Sequence, residues 1–238
     1  MRSLAIIPAR LNSTRLAEKA LININGKSMI QRVYEQVKKC KDINDVIIAT
    51  DDLKIYKHVE SFKGHVMMTH NNHLSGTERC NEASQKLKKQ YDIIINVQGD
   101  EPLINPKQIT QIIKSFSQGS EKIVTLAKKI TSKEAQNINT VKVNFNSDMI
   151  ATSFYRSGNK DDSFRYKHIG IYGFRQNTLE KICSLATTEN ELKHKLEQLR
   201  WLDNNYKIKV VLTKQDSISI DTKEDLNNLL EHHSDKLT

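Results

Sequence analysis

Proline is scarce in this 238-residue chain, which has only Pro8, Pro102 and Pro106. No Pro/Gly/Ser-rich linker, internal repeat or low-complexity stretch interrupts it. Cysteine is equally thin. Cys40, Cys80 and Cys183 are odd in number, far apart and without CxxC spacing, which argues against a disulfide framework and against structural zinc. Reduced thiols in a cytoplasmic protein are the expectation. No apolar run approaches the roughly 20 residues of a membrane span, and the opening MRSLAIIPAR turns polar too early for a signal-peptide core. Aromatic residues reach a modest 6%.

What is present is the makeup of an ordinary globule, with 37% hydrophobic and 27% charged residues. The length suits one α/β domain with a substantial core. Lys plus Arg at 37 against Asp plus Glu at 28 gives a net charge of +9, so the surface should attract anions: nucleotides, acidic sugars, nucleic acid or lipid headgroups. The lysines at 38, 39, 41, 86, 88 and 89 fall on helix-like faces without interleaved aromatics. They predict a solvated surface and no nucleic-acid or membrane partner.

Strand-like runs occupy Leu4 to Ile7, Val46 to Ala49, His65 to Met68, Ile93 to Val97 and Ile123 to Ala127. Helical spacing fills the gaps: Met29, Ile30, Val33 and Val37; Ala83 and Leu87 after the possible caps Ser75 and Thr77; Ile109, Ile112 and Ile113 after Pro106. The alternation predicts an α/β fold with a doubly wound, Rossmann-like, mostly parallel sheet. From about 130 to 175 the pattern changes to Val141 to Phe145, Ile150 to Phe154 and His168 to Phe174, a smaller antiparallel insertion. A helical pair, two returning strands (Val210 to Leu212 and Ile218 to Ile220) and a closing helix with Leu226, Leu229 and Leu230 on one face should follow. Residues beyond His232 are expected to fray.

Between Ile6 and Leu21 there is no glycine, yet Arg10, Ser13, Thr14, Arg15 and Lys19 arrive in quick succession after the first strand. Arginine grips phosphate oxygens with paired donors and lysine adds a point charge, so this loop predicts an anion cradle built from side chains. Each arginine alone would pass for a solvated residue. In INVQGDEPLI, Gln98, Gly99, Asp100 and Glu101 close a strand, where carboxylates can hold Mg²⁺ with substrate phosphates. Asp221 likewise follows a short strand. It can be a metal ligand, a helix N-cap completed by Glu224, or both. His70 and His73 lack a third ligand nearby, which disfavours zinc. Ser75 to Thr77 enter a helix with backbone donors for a base or ribose. His168, Tyr172, Glu197, Gln198 and Arg200 are candidates for a hydroxylated acid, while Leu196, Leu199 and Trp201 read as core.

The motifs IIPAR, STRL with Lys19, IATDD, SGTER, NVQGDEPLI, KHIGIYGFR, LEQLR, YKIKV and IDTKEDL, in this order from Leu4 to about Leu230, resemble the 3-deoxy-manno-octulosonate (Kdo) cytidylyltransferases. The resemblance implies that CTP and Kdo give CMP-Kdo and pyrophosphate for lipopolysaccharide biosynthesis, with Mg²⁺ on Asp100 and Asp221. It implies a nucleotide site of Pro8, Ala9, Arg10, Ser13, Arg15, Lys19, Ser75, Gly76, Arg79 and Gln98, with Lys19, Arg15, Asp100 and Asp221 catalytic. The sugar would meet Gln98, His168, Tyr172, Glu197 and Gln198, and a homodimer would form through the insertion. The chain departs from the family pattern in its first loop, where Ala17, Glu18 and Ala20 replace Pro, Gly and Pro and Glu18 adds negative charge. It departs again after Phe154, where Tyr155 and Arg156 lead into SGNKDDSF without a proline, and at His194, where an acidic residue is expected. A Kdo variant such as 8-amino-Kdo, or a silent nucleotide-sugar binder, are the alternatives.

Overall fold

The computed structural model describes residues 1–238 apart from Thr14, residues 158–164 and Thr238. Most of the segment SGNKDDSF, and Thr14 of the first loop, therefore lie outside the described residues. β1 (Ser3–Ala9) leads through a 3-10 turn (Lys19–Leu21) and a small hairpin, β2 (Asn23–Ile24) and β3 (Lys27–Ser28), into α1 (Met29–Lys38). The alternation continues with β4 (Asp45–Thr50), α2 (Leu53–Ser61), β5 (Val66–Met68), α3 (Gly76–Lys86), β6 (Ile93–Asn96), α4 (Pro106–Gln118) and β7 (Ile123–Lys129). After the short α5 (Ser132–Ala135) come β8 (Lys142–Phe145), β9 (Ala151–Tyr155) and β10 (Tyr166–Arg175). Three short helices follow where two were expected: α6 (Gln176–Cys183), α7 (Glu189–His194) and α8 (Gln198–Asp203). β11 (Ile208–Leu212), α9 (Lys223–His232) and a 3-10 turn (Ser234–Leu237) close the described chain.

Local chemistry explains the helix starts. Ser28, Asp52, Ser75 and Asn105 each accept a backbone N–H of the first turn, and Pro106 takes the first position of α4. On α1 the apolar spacing turns Met29, Ile30, Val33 and Val37 fully inward, each side chain contributing about 1.5–3 kcal/mol by leaving water.

The main sheet runs β11-β7-β10-β6-β1-β4-β5, with β8 and β9 attached at its side through β10. β1 pairs in parallel with β4 and β6, β4 with β5 and β7 with β11, whereas β10 runs antiparallel between β6 and β7. Because successive side chains of a strand face opposite ways, Ala5 and Ile7 of β1 enter one core cluster and Leu4 and Ile6 the other. Both faces of β1 are thus covered, as a parallel central strand requires. The chain winds outward from β1 to β5 and then returns to the other side of β1 at β6. That reversal opens a crevice beyond the carboxyl ends of β1 and β6.

Three expectations are corrected. Ile218 to Ile220 form no strand: the segment is held to its neighbour by one backbone bond, Ile220 N to Asp100 O at 2.9 Å, and by burial of Ile220 against Ile24, Met29 and Leu229. On α9 only Leu229 is buried, and Leu230 is exposed because the helix rests on the body along a narrow edge. The end of the chain does not fray before Leu237, which is buried and whose carbonyl accepts from Arg32 Nη1 at 2.9 Å. Arg32 also binds the Ile24 and Asn25 carbonyls, so one buried guanidinium fastens the hairpin and the last turn.

Gly173 of β10 shows how tightly α4 is seated. A Cβ there would lie 2.4 Å from Ile112 Cγ2 and 2.6 Å from Phe116 Cε2. Gly173→Ala is expected to lower unfolding stability by about 2 kcal/mol through overpacking, read as a fall in the urea midpoint. An unchanged midpoint would show that α4 shifts without cost.

Candidate active site

The crevice is a cavity lined from four parts of the chain: Pro8, Ala9, Arg10, Ser13, Arg15, Lys19 and Ala20 after β1, His73 to Gly76 and Arg79 at the start of α3, Gln98 to Asp100 after β6, and Asp221 before α9. Every residue that the family resemblance implies for the nucleotide, catalytic and metal roles lies in that lining, whereas Thr77 and Glu101, which the loop pattern also offered, do not. The loops after β1 and β6 meet closely, since a Cβ on Gly99 would stand 2.9 Å from the Pro8 carbonyl oxygen. Only glycine fits there.

At one end of the cavity Lys19 Nζ donates to Asp100 Oδ2 at 2.6 Å and to Asp221 Oδ1 at 2.9 Å, and Arg15 Nη2 lies 3.0 Å from the same Asp221 oxygen. Burial works against the Lys19 ammonium, but the charge of Asp100 and the bonds to both aspartates outweigh it and hold its pKa above the ordinary value. Two carboxylates converging on one cation are hard oxygen donors suited to Mg²⁺ completed by phosphate oxygens. No group of three or more His, Cys, Asp or Glu residues able to form a protein-only metal cage occurs among the described residues. His73 instead bonds Glu82 through Nε2 and stands 3.9 Å from Glu78 through Nδ1.

Asp221 is not the helix cap. Thr222 takes that position, accepting from Asp225 N at 3.1 Å while Asp225 Oδ2 accepts from Thr222 N at 2.8 Å. The capping box thus starts one residue later than expected, with Asp225 in place of Glu224, and leaves the Asp221 carboxylate facing the cavity. The adjacent acids Asp100 and Glu101 also separate. Glu101 is buried outside the cavity lining with Oε2 unpartnered, and burial, with the Asp100 charge, raises its pKa to about 7.

Glu18 adopts the left-handed conformation at φ 49°, which costs a non-glycine residue roughly 1–2 kcal/mol. Its carboxylate faces Lys54, whose Nζ stands 2.6 and 2.5 Å from the two oxygens. The negative charge that Glu18 adds to the loop is therefore countered by Lys54. Arg79 lines the cavity but is committed to structure, with Nη2 on Asp51 at 2.9 Å and Nη1 on Thr69.

Of the predicted sugar residues, only Gln98 lines the cavity. A register break in β10 between Ile169 and Tyr172 places His168 Nε2 3.0 Å from Thr125 Oγ1, as bulges beside active sites commonly re-aim side chains. Burial lowers the His168 pKa to about 3, so its ring is neutral near pH 7. Tyr172 is buried against Phe174 and Trp201 with its hydroxyl unpartnered. Glu197 accepts from Ser75 and Thr77, and Gln198 is buried at the start of α8. Arg200 is no sugar ligand: both of its bonds to Glu191 measure 2.7 Å and it is buried. His194 is exposed at the end of α7, outside the cavity lining.

A family model described as Cytidylyltransferase matches residues 4–209. A 3-deoxy-manno-octulosonate cytidylyltransferase of Parabacteroides distasonis is 46% identical over 97% of this chain and 97% of the relative. One of Bacteroides thetaiotaomicron is 42% identical over 96% of each. The chain belongs to the 3-deoxy-manno-octulosonate cytidylyltransferase family. Among solved structures, a CMP:2-keto-3-deoxy-manno-octonic acid synthetase complexed with CTP superimposes with a TM-score of 0.92 at 33% identity, over 99% of this chain and 100% of that one. A family cytidylyltransferase fold thus holds the Lys19, Asp100 and Asp221 cluster at its crevice.

The helix-cap assignment can be checked directly. Thr222→Ala should cost about 1 kcal/mol of unfolding stability, whereas Asp221→Asn should keep the α9 cap intact and lose less. Chemical denaturation showing the reverse order would return Asp221 to a capping role.

Proposed function

We propose that this cavity binds CTP and transfers its cytidylyl group to Kdo, giving CMP-Kdo and pyrophosphate for lipopolysaccharide biosynthesis. The observation that carries the reading is the meeting of Lys19 and Arg15 with Asp100 and Asp221 at one end of a cavity whose other lining is a polar loop and a helix N-terminus. The cationic side suits a triphosphate, and the backbone of Pro8, Ala9, Ser75 and Gly76 offers hydrogen-bonding groups to the base and ribose. Likeness to relatives bearing this activity across nearly the whole chain supports the choice of CTP and sugar.

In this reaction the anomeric hydroxyl attacks the α-phosphorus, the bond to the bridging oxygen breaks, pyrophosphate leaves, and the hydroxyl proton is released. No covalent enzyme intermediate is required, so catalysis consists of alignment and charge neutralisation. Asp100 and Asp221 would hold Mg²⁺, which supplies positive charge to the reacting phosphate. Lys19 would supply positive charge to the phosphate oxygens, and Arg10 and Arg15 would steady the departing pyrophosphate. Gln98 would reach the sugar from the cavity, with the neutral His168 ring outside the lining and bonded to Thr125.

Pyrophosphate release should require CTP and Kdo together, run slower with UTP, and stop in EDTA until Mg²⁺ is restored. Lys19→Ala should lower turnover about a hundredfold, the typical effect of removing one donor to a developing charge. Equal turnover with UTP, or activity indifferent to EDTA, would contradict the proposal.

A further inference from the structure

We infer that Glu197 is a positioning residue for the nucleotide-facing start of α3, so that CTP affinity depends on a side chain outside the cavity lining. This rests on the reading of the cavity as the CTP site. Glu197 immediately precedes α8, about 120 residues from the loop it meets, and it accepts one hydroxyl on each carboxylate oxygen: Ser75 Oγ at 2.7 Å on Oε1 and Thr77 Oγ1 at 2.8 Å on Oε2. Those two residues flank Gly76. Ser75 and Gly76 line the cavity, whereas Thr77 and Glu197 do not.

The proton inventory gives the contact its force. A hydroxyl has one proton and two lone pairs. Ser75 donates its proton to Glu197 and accepts from Glu78 N at 3.2 Å, which makes it the N-cap of α3. Thr77 donates to Glu197 and accepts from Asn96 Nδ2 at 3.3 Å, which ties the same turn to β6. Both hydroxyls therefore need an acceptor-only partner with two oxygens at this point. A carboxylate supplies it, and a carboxamide does not, because one of its two positions is itself a donor. With the amide, one hydroxyl must turn away, and either the cap of α3 or the tie to β6 loosens beneath the nucleotide. Arg200, three residues on, does not replace this contact, being held by Glu191. The residue that opens α8 thus fixes the geometry of the turn at the start of α3.

The test is CTP binding to the full chain by titration calorimetry in the absence of sugar. Glu197→Gln should weaken CTP about tenfold, the equilibrium weight of one hydrogen bond to a charged group, with a lowered melting temperature but a chain still folded at the temperature of the titration. Thr77→Val, which removes the bonds to both Glu197 and Asn96, should weaken CTP as well, and the effects of the two changes should be less than additive in the double variant, because they share the Thr77–Glu197 contact. Unchanged CTP affinity in Glu197→Gln, with only the sugar KM raised, would overturn the inference and leave Glu197 as a sugar contact alone. Where Glu197→Gln does not fold, Thr77→Val decides, and an unchanged affinity there overturns the inference equally. If the unaltered protein binds no CTP, the reading of the cavity fails first and the inference fails with it.

Discussion

The ammonium of Lys19 between Asp100 and Asp221 is the contact on which the functional end of this molecule depends. It reaches Asp100 and Asp221, which lie 81 and 202 residues away in sequence, and it is joined there by the contact of Arg15 with Asp221 and by a backbone bond from Ile220 N to the Asp100 carbonyl. Two carboxylates this close repel one another and require a cation between them. Such a partly buried ion pair is weak evidence for stability, since desolvation offsets much of the attraction. Its value lies in geometry: the charges that the proposed nucleotide and metal would meet are already assembled in the chain alone. Assembly in advance is what a reaction governed by alignment and charge neutralisation demands of its enzyme.

The scaffold explains how so few residues suffice. A parallel sheet that reverses its winding beside β1 leaves a crevice without disturbing the core, and side chains on both faces of β1 hold its end in place. The first loop carries no glycine, although its backbone at Glu18 takes a conformation that glycine favours. Lys54 holds that glutamate, so the loop gains a tether to α2 where the family pattern has a more permissive residue. The cationic lining that this loop gives the cavity is accordingly made of side chains, with the loop anchored at Glu18 and ending at Lys19.

Much of this was legible in the sequence for simple physical reasons. Central parallel strands are apolar on both faces, and helix starts carry Ser, Asp or Asn beside an apolar period, so most elements could be placed within a residue or two. The residues that meet in the cavity could be found because most of them follow strands. Three things were not legible. The run Asp221-Thr222-Lys223-Glu224-Asp225 contains two overlapping capping boxes, and only the actual backbone chooses Thr222 with Asp225. Alternation in Ser-Ile-Ser-Ile reads as a strand, yet an extended segment pinned by a single bond has the same pattern. The break in β10 that orients His168 and Tyr172 depends on Thr125 of a neighbouring strand, and nothing local encodes it.

If Asp100 and Asp221 form one cation site, Lys19 fills it until substrate and metal are bound. A crystal structure with CTP and Mn²⁺, recorded for anomalous scattering, addresses it most directly. The account predicts a manganese peak shared by the two aspartates and the triphosphate, with Lys19 Nζ moved onto phosphate oxygens. Lys19 still bonded to both carboxylates beside a bound triphosphate, with no manganese between them, would contradict it.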